Sequence, residues 1–185
     1  CSSDLPFLDS WIAKRENDKE RSSLLALFNK YTTAEVMYDV RTKFKRIIPI
    51  SVMNMIKSLC YILEGILDVH YPGKKAGAME TPQEKALFEL HFVHAAVWAF
   101  GGACLVDKQR NSRKEFSDFW KATFGLYPKS KELTVFDYYP DPETSEMIEW
   151  TNKVAPYEPV EGLDTKMITK AFVPTVETVR IMSLM

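Results

Sequence analysis

The segment Phe92–Gly102 (FVHAAVWAFGG) puts the strongest constraint on the fold. It reads as a helix that is apolar nearly all round, and such a helix is stable only where neighbours cover most of its sides. The apolar stretch runs on to Val106. Even so it is shorter than the ~20 residues a bilayer span requires, and His94, Gly101 and Gly102 interrupt it. The chain must therefore supply other helices to bury it, and its alanines permit their close approach. A start signal lies upstream. Thr81 can cap, Pro82 can take the first helical position, and Glu84 can close a capping box.

The covering helices are visible in the periodicity. Leu24, Leu25, Leu27, Phe28 and Tyr31 recur at helical spacing after the charged run Lys14 to Arg21. A second helix is expected through Ala34 to Lys45, with Val36, Tyr38, Val40 and Phe44, until Pro49 breaks the chain. Val52, Met55, Ile56, Leu59, Ile62, Leu63, Ile66 and Leu67 give the clearest stripe, and Ser51 can cap it. Tyr71 to Thr81 reads as a loop. Ser112 and Glu115 form a second capping-box pattern ahead of Phe116, Phe119, Trp120 and Phe124, and Gly125 is placed to end that helix.

After Pro128 the character changes. Thr134 to Tyr139 is aromatic and β-branched, Asp141-Pro142-Glu143-Thr144 reads as a turn, and Met147 to Trp150 can return as a second strand. Pro156 and Pro159 mark an extended connector. Lys170 to Val173 reads as a short extended segment, and Thr175 then caps a final helix carrying Val176, Val179 and Met182. The chain opens on Cys1 and stops at Met185 with no helix stop signal, which suggests a segment of a longer polypeptide.

Several chemistries have little support. The 24 basic and 25 acidic residues nearly cancel, giving no reason to propose a nucleic-acid or membrane partner. At 46% hydrophobic and 12% aromatic the chain is expected to fold rather than stay disordered. Cys1, Cys60 and Cys104 form no C-x-x-C pair, so a reducing compartment fits better than a disulfide framework. No phosphate loop of the form G-x-x-x-x-G-K-[ST] occurs. His91 and His94 lie three apart and can approach one metal, yet zinc needs further ligands, so core or capping histidines are the simpler reading. Asp137, Asp141 and Glu143 can pair for acid–base work, but turn formation explains them with less. In the segment Lys170 to Arg180 an extended backbone followed by a capped helix can grip a flat ring such as adenine, but taken alone a generic strand-to-helix entry is the simpler reading.

Taken in order, Asp9-Ser10-Trp11-Ile12, FVHAAVWAFGG, Thr134–Thr144 (TVFDYYPDPET) with Trp150 and Pro156, and Val173–Arg180 (VPTVETVR) resemble dynein heavy chain, in the stretch joining the second AAA+ module of the motor ring to the third. The aromatic hairpin and the W-A-F-G-G form look more axonemal than cytoplasmic. The resemblance implies a mainly α chain: a helical lid-type bundle over residues 1–126, a β-hairpin and connector over 127–169, and the opening strand and helix of the next α/β module over 170–185. It implies that Val173, Pro174 and Thr175 belong to a pre-loop that helps hold adenine, with the phosphate loop following soon after Met185. Where the family often has Asp, this chain has Glu177, which keeps the charge.

The resemblance further implies that ATP and Mg²⁺ are bound by the larger protein, with no complete site in this chain. Hydrolysis needs Mg²⁺, a P-loop lysine and an acidic strand end, so the chain alone is expected to be inactive. Its partners would be the neighbouring AAA+ modules and, through the larger protein, the dynein complex and microtubules of a ciliary or flagellar axoneme. The competing expectation is a self-contained helical protein-interaction module, and a third is a small zinc enzyme at His91 and His94.

Overall fold

A computed structural model describes residues 5–15, 17–71, 81–130, 132–154 and 175–183. These residues form seven α-helices and one two-stranded antiparallel sheet. The helices are α1 (Leu5–Ala13), α2 (Asp18–Tyr31), α3 (Ala34–Lys43), α4 (Val52–His70), α5 (Pro82–Gly101) and α6 (Ser112–Phe124), with α7 (Val176–Met182) after the sheet. The mainly helical fold expected from the periodicity is the one observed. No described helix is long and apolar enough to cross a membrane.

Helix α5 is the spine. Its N-terminal capping box forms as the sequence predicts: Thr81 Oγ1 accepts from the Glu84 N–H at 3.1 Å, and a Glu84 carboxylate oxygen accepts from the Thr81 N–H at 2.9 Å. From Leu90 to Val97 every residue is buried, and Phe100 and Gly101 follow. Helices α2, α4 and α6, both strands and the turn before them all pack on it. The stripe on α4 buries Met55, Ile56, Leu59, Leu63, Ile66 and Leu67 as expected. On α2, Leu24, Leu27, Phe28 and Tyr31 face inward while Leu25 is 43% exposed, since it falls a hundred degrees off that face. Tyr38 on α3 likewise points out at 61% exposure, beside buried Val36 and Val40.

The link from α3 to α4 runs against the link from α5 to α6. Leu105 N–H donates to Lys45 O at 2.8 Å and Ile47 N–H to Ala103 O at 3.0 Å. Arg46, between them, reaches under the ends of two helices and donates to Val40 O, Arg41 O, Phe44 O and Phe100 O. Those are C-terminal carbonyls that a helix leaves without partners.

Three local expectations shift. The α6 cap is Asn111, whose side chain accepts from the Lys114 N–H at 2.9 Å; Ser112 is already helical. Its hydroxyl is instead engaged by Lys45 N–H and Glu115. Gly125 does end α6, in the left-handed conformation (φ 64°) that glycine adopts without penalty. The hairpin exists, but its strands are Tyr138–Asp141 (β1) and Glu146–Glu149 (β2), with Tyr139 opposite Ile148 and Asp141 opposite Glu146. Val135–Asp137 is a 3-10 turn rather than strand, and Trp150 opens a second one, Trp150–Lys153. The expected turn at Asp141 is held by its carboxylate, which accepts from Thr144 N–H at 3.0 Å and Thr144 hydroxyl at 2.8 Å.

Candidate functional site

Bundle, hairpin and terminal helix meet at one joint, on the C-terminal half of α5. Trp98 lies there, with its ring 5.1 Å from Phe136 in an edge-to-face arrangement. Gly101, one turn on, leaves room for the Phe116 and Phe136 rings: a methyl in its place would lie 2.4 Å from one and 2.8 Å from the other. Phe136 sits in the first 3-10 turn, which Val135 ties to α6 by donating its N–H to Ser117 Oγ at 3.0 Å.

Asp137 ends that turn. One carboxylate oxygen, Oδ2, accepts from both the N–H and the hydroxyl of Thr134 at 2.7 Å. The other, Oδ1, accepts from Arg180 at 3.2 Å, and the same guanidinium nitrogen lies 3.4 Å from Phe136 O. Arg180 also pairs with Glu177 on its own helix and lies over Trp98, 5.9 Å from the ring centroid. It is the most buried residue of α7, at 8% exposure, while Met182 is 62% exposed. Val176 and Val179 are only half-buried, so the residue this helix turns inward most is its arginine. Arg113 completes the cluster. Its guanidinium is 4.3 Å from the Phe136 centroid and 5.4 Å from Trp98, and burial and the charge of Arg180 both lower its pKa.

The histidines lie on the same spine. His94 is packed between Trp98 and Trp150, and burial, with Lys153 adding to it, holds its pKa down to about 4. His91 stacks on His70 with centroids 4.6 Å apart, and its Nδ1 lies 3.1 Å from the Tyr71 hydroxyl. Burial takes its pKa down to about 3. Among the described residues, no group of three or more His, Cys, Asp or Glu is placed to hold a metal. Cys60 and Cys104 are buried thiols, and burial pushes Cys60 up to about 12. Asp137 and Asp141 each hold a separate turn, and Glu143 is exposed. A groove of about 420 Å³ runs between α5 and the hairpin, lined by Glu89, Leu126 and Met147 among others. Glu89 is already engaged there by Lys30 and Tyr31, each at 2.6 Å.

Of the expected adenine pre-loop, Val173 and Pro174 fall outside the described residues. Thr175 caps α7: its Oγ1 accepts from the Thr178 N–H at 3.2 Å, and its own N–H donates to Thr178 Oγ1 at 2.8 Å. The sequence reading did not single out Arg180, Arg113 or Arg46.

The family described as "Dynein heavy chain AAA lid domain" matches residues 24–152, from within α2 to the second 3-10 turn. The chain belongs to that family. As a dynein AAA lid it is similar to "Dynein axonemal heavy chain 17" of Mus musculus, 38% identical over 177 residues. It is also similar to "Dynein beta chain, ciliary" of Heliocidaris crassispina, 38% identical over 179 residues, and to "Dynein beta chain, flagellar outer arm" of Chlamydomonas reinhardtii, 37% identical over 176 residues. Each match takes in 95% of this chain and 4% of the relative. The dynein lid thus spans a small part of the length of the relatives it matches. The matched family span holds every joint residue except those of α7, and α7 is fastened to the lid from outside that span by Arg180.

Proposed function

We propose that this chain is the lid of the second AAA+ module in an axonemal dynein heavy chain and the strap to the third. Residues 1–126 form the lid, 127–169 the hairpin and connector, and 170–185 the start of the third module. The chain carries out no hydrolysis. It passes the nucleotide state of one module to the next as a rigid body that rotates. The observation that supports this most directly is the Arg180 contact, because it locks helix α7 onto the turn that leads into the hairpin. ATP and Mg²⁺ belong to the neighbouring modules, with Val173, Pro174 and Thr175 helping to hold adenine in the third. The partners are those modules, other dynein subunits and, through the rest of the heavy chain, microtubules of a cilium or flagellum. The ciliary and flagellar names of the relatives support that location.

The test is made in a heavy-chain motor that contains this chain. Trp98→Ala removes the ring on which Phe136 and Arg180 rest. Microtubule-stimulated ATP turnover should fall several-fold while nucleotide binding persists. Unchanged turnover would remove the coupling role. Photolabelling the same motor with 8-azido-ATP should recover the peptide holding residues 173–175. Labelling confined to other peptides would remove the adenine assignment.

A further inference from the structure

The joint brings four charged side chains together: Asp137, Arg180, Glu177 and Arg113. Asp137 does not travel: Oδ2 is fixed by two bonds from Thr134, and its turn is bonded to Ser117 of α6. Only Oδ1 is engaged by α7, through Arg180. Arg113 belongs to the bundle, at the first turn of α6, and lies on the same Trp98 ring that Arg180 covers. Among the described residues it has no hydrogen bond and no ion pair, only the faces of two aromatic rings. The charges that act on it most are those of Arg180, Asp137 and Glu177, with the Cys104 thiol also among its neighbours. Glu177 rides on α7 and pairs with Arg180 one turn away.

We propose that Asp137 is a fixed anchor shared by two arginines, gripped by Arg180 while α7 is docked and taken over by Arg113 when α7 lifts away. Breaking even a partly buried ion pair, as this one is, ordinarily costs stability because it strands a charge. Here neither side is stranded. Arg180 leaves with Glu177, and the freed Oδ1 of Asp137 is taken by Arg113, which reaches it from its place on the neighbouring Phe136 ring. The four charges divide into two neutral pairs, one on each body. Undocking is thereby made reversible, and Arg113 acts as a positioning residue for the lifted state. This deepens the coupling role given above. Its test is made on this chain alone, so either can fail without the other.

Hydrogen–deuterium exchange of the 185-residue chain reads the docking equilibrium from amides of Thr178 to Met182, with amides of Leu59 to Leu63 in α4 reporting global folding. Arg180→Met should speed α7 exchange by roughly tenfold, the size expected of neighbours coupled in one charge network. Arg113→Met should slow it by a similar factor, because the lifted state loses its pair. Arg113→Gln should do the same and serves if the methionine variant disturbs the α4 amides. In an Asp137→Asn background, the arginine-113 substitution should leave α7 exchange within about twofold of that background. Faster or unaltered exchange in both Arg113 variants overturns the proposal. So does slowing that persists without the carboxylate, which would mean simple repulsion between two arginines. Unprotected α7 amides in the unmodified chain overturn it as well.

Discussion

Gly101→Ala and Gly65→Ala are the same substitution in two helices, and the structure gives them opposite signs. At Gly101 an added methyl carbon would lie 2.4 and 2.5 Å from two Phe116 ring carbons and 2.8 Å from Phe136 Cζ. Apolar carbons rest at about 3.5–4.0 Å, so both rings must retreat by about an ångström. They have little room, with Phe116 fully buried and Phe136 1% exposed. Overpacking of this kind costs about 1–3 kcal/mol. Replacing glycine with alanine in a helix returns about 0.5–1 kcal/mol, and less at a last position such as this one. The net loss is about 1–2 kcal/mol, or a fall in Tm of about 2–8 °C for a chain of this length. At Gly65, in the middle of α4, nothing lies within 4 Å of the new methyl group. Only the backbone gain remains, so stability should rise by about 0.5–1 kcal/mol. Urea denaturation followed by far-UV circular dichroism measures both. If the two variants shift the midpoint in one direction, or if Gly101→Ala is neutral, the close approach at the joint is misjudged.

Other consequences are more quickly stated. Arg46→Met strands carbonyls at the ends of α3 and α5 and should cost about 2–3 kcal/mol by urea denaturation; a loss under half a unit would show that those carbonyls find other partners. Asn111→Ala should cost about 1 kcal/mol through the lost α6 cap, and an unchanged midpoint would return that role to Ser112. His91 and His94 stay neutral in the fold, held at about 3 and about 4, while the unfolded chain takes up protons near 6.5. Their contribution is therefore complete above that value. It declines as pH falls from about 6.5 toward the folded values, by on the order of 1 kcal/mol per pH unit for each ring. Stability measured at pH 7.5, 6.0 and 5.0 should drop accordingly, and His91→Gln should flatten the slope by about half; a flat profile in the unmodified chain would contradict the burial argument.

The parts of the fold that the sequence made legible are those ruled by short-range chemistry. The Thr81, Pro82 and Glu84 start of α5, the stripe on α4 and the left-handed stop at Gly125 each depend on residues within a few positions of one another. The errors arise where tertiary contacts decide between local options. Ser112 and Asn111 are both competent caps, and the choice is settled by Lys45, 67 residues away, whose N–H occupies the serine hydroxyl. Val135 and Phe136 have strand propensity, but Phe136 is drawn into the Trp98 and Phe116 rings and the backbone turns to put it there. The Arg180 to Asp137 pair, 43 positions apart, is beyond reach of spacing rules. With 24 basic and 25 acidic residues, hundreds of pairings are open, and only the fold selects one.

The division of labour within the chain follows from what each contact is made of. Helices α2, α4 and α6 and both strands are attached to α5 largely by buried aliphatic and aromatic side chains, whose separation exposes wide apolar area to water. Separating them from the spine is therefore costly. The final helix is attached differently. Val176 and Val179 are only partly covered, Ile181 and Met182 are exposed, and the one buried side chain is an arginine. Little apolar area is lost when such a helix lifts, and its charge can leave with a partner. Low apolar burial and polar fastening are the marks of the segments that open first in a folded protein. Among the described residues the contact most readily opened is thus Asp137 to Arg180, rather than one within the bundle or between bundle and hairpin.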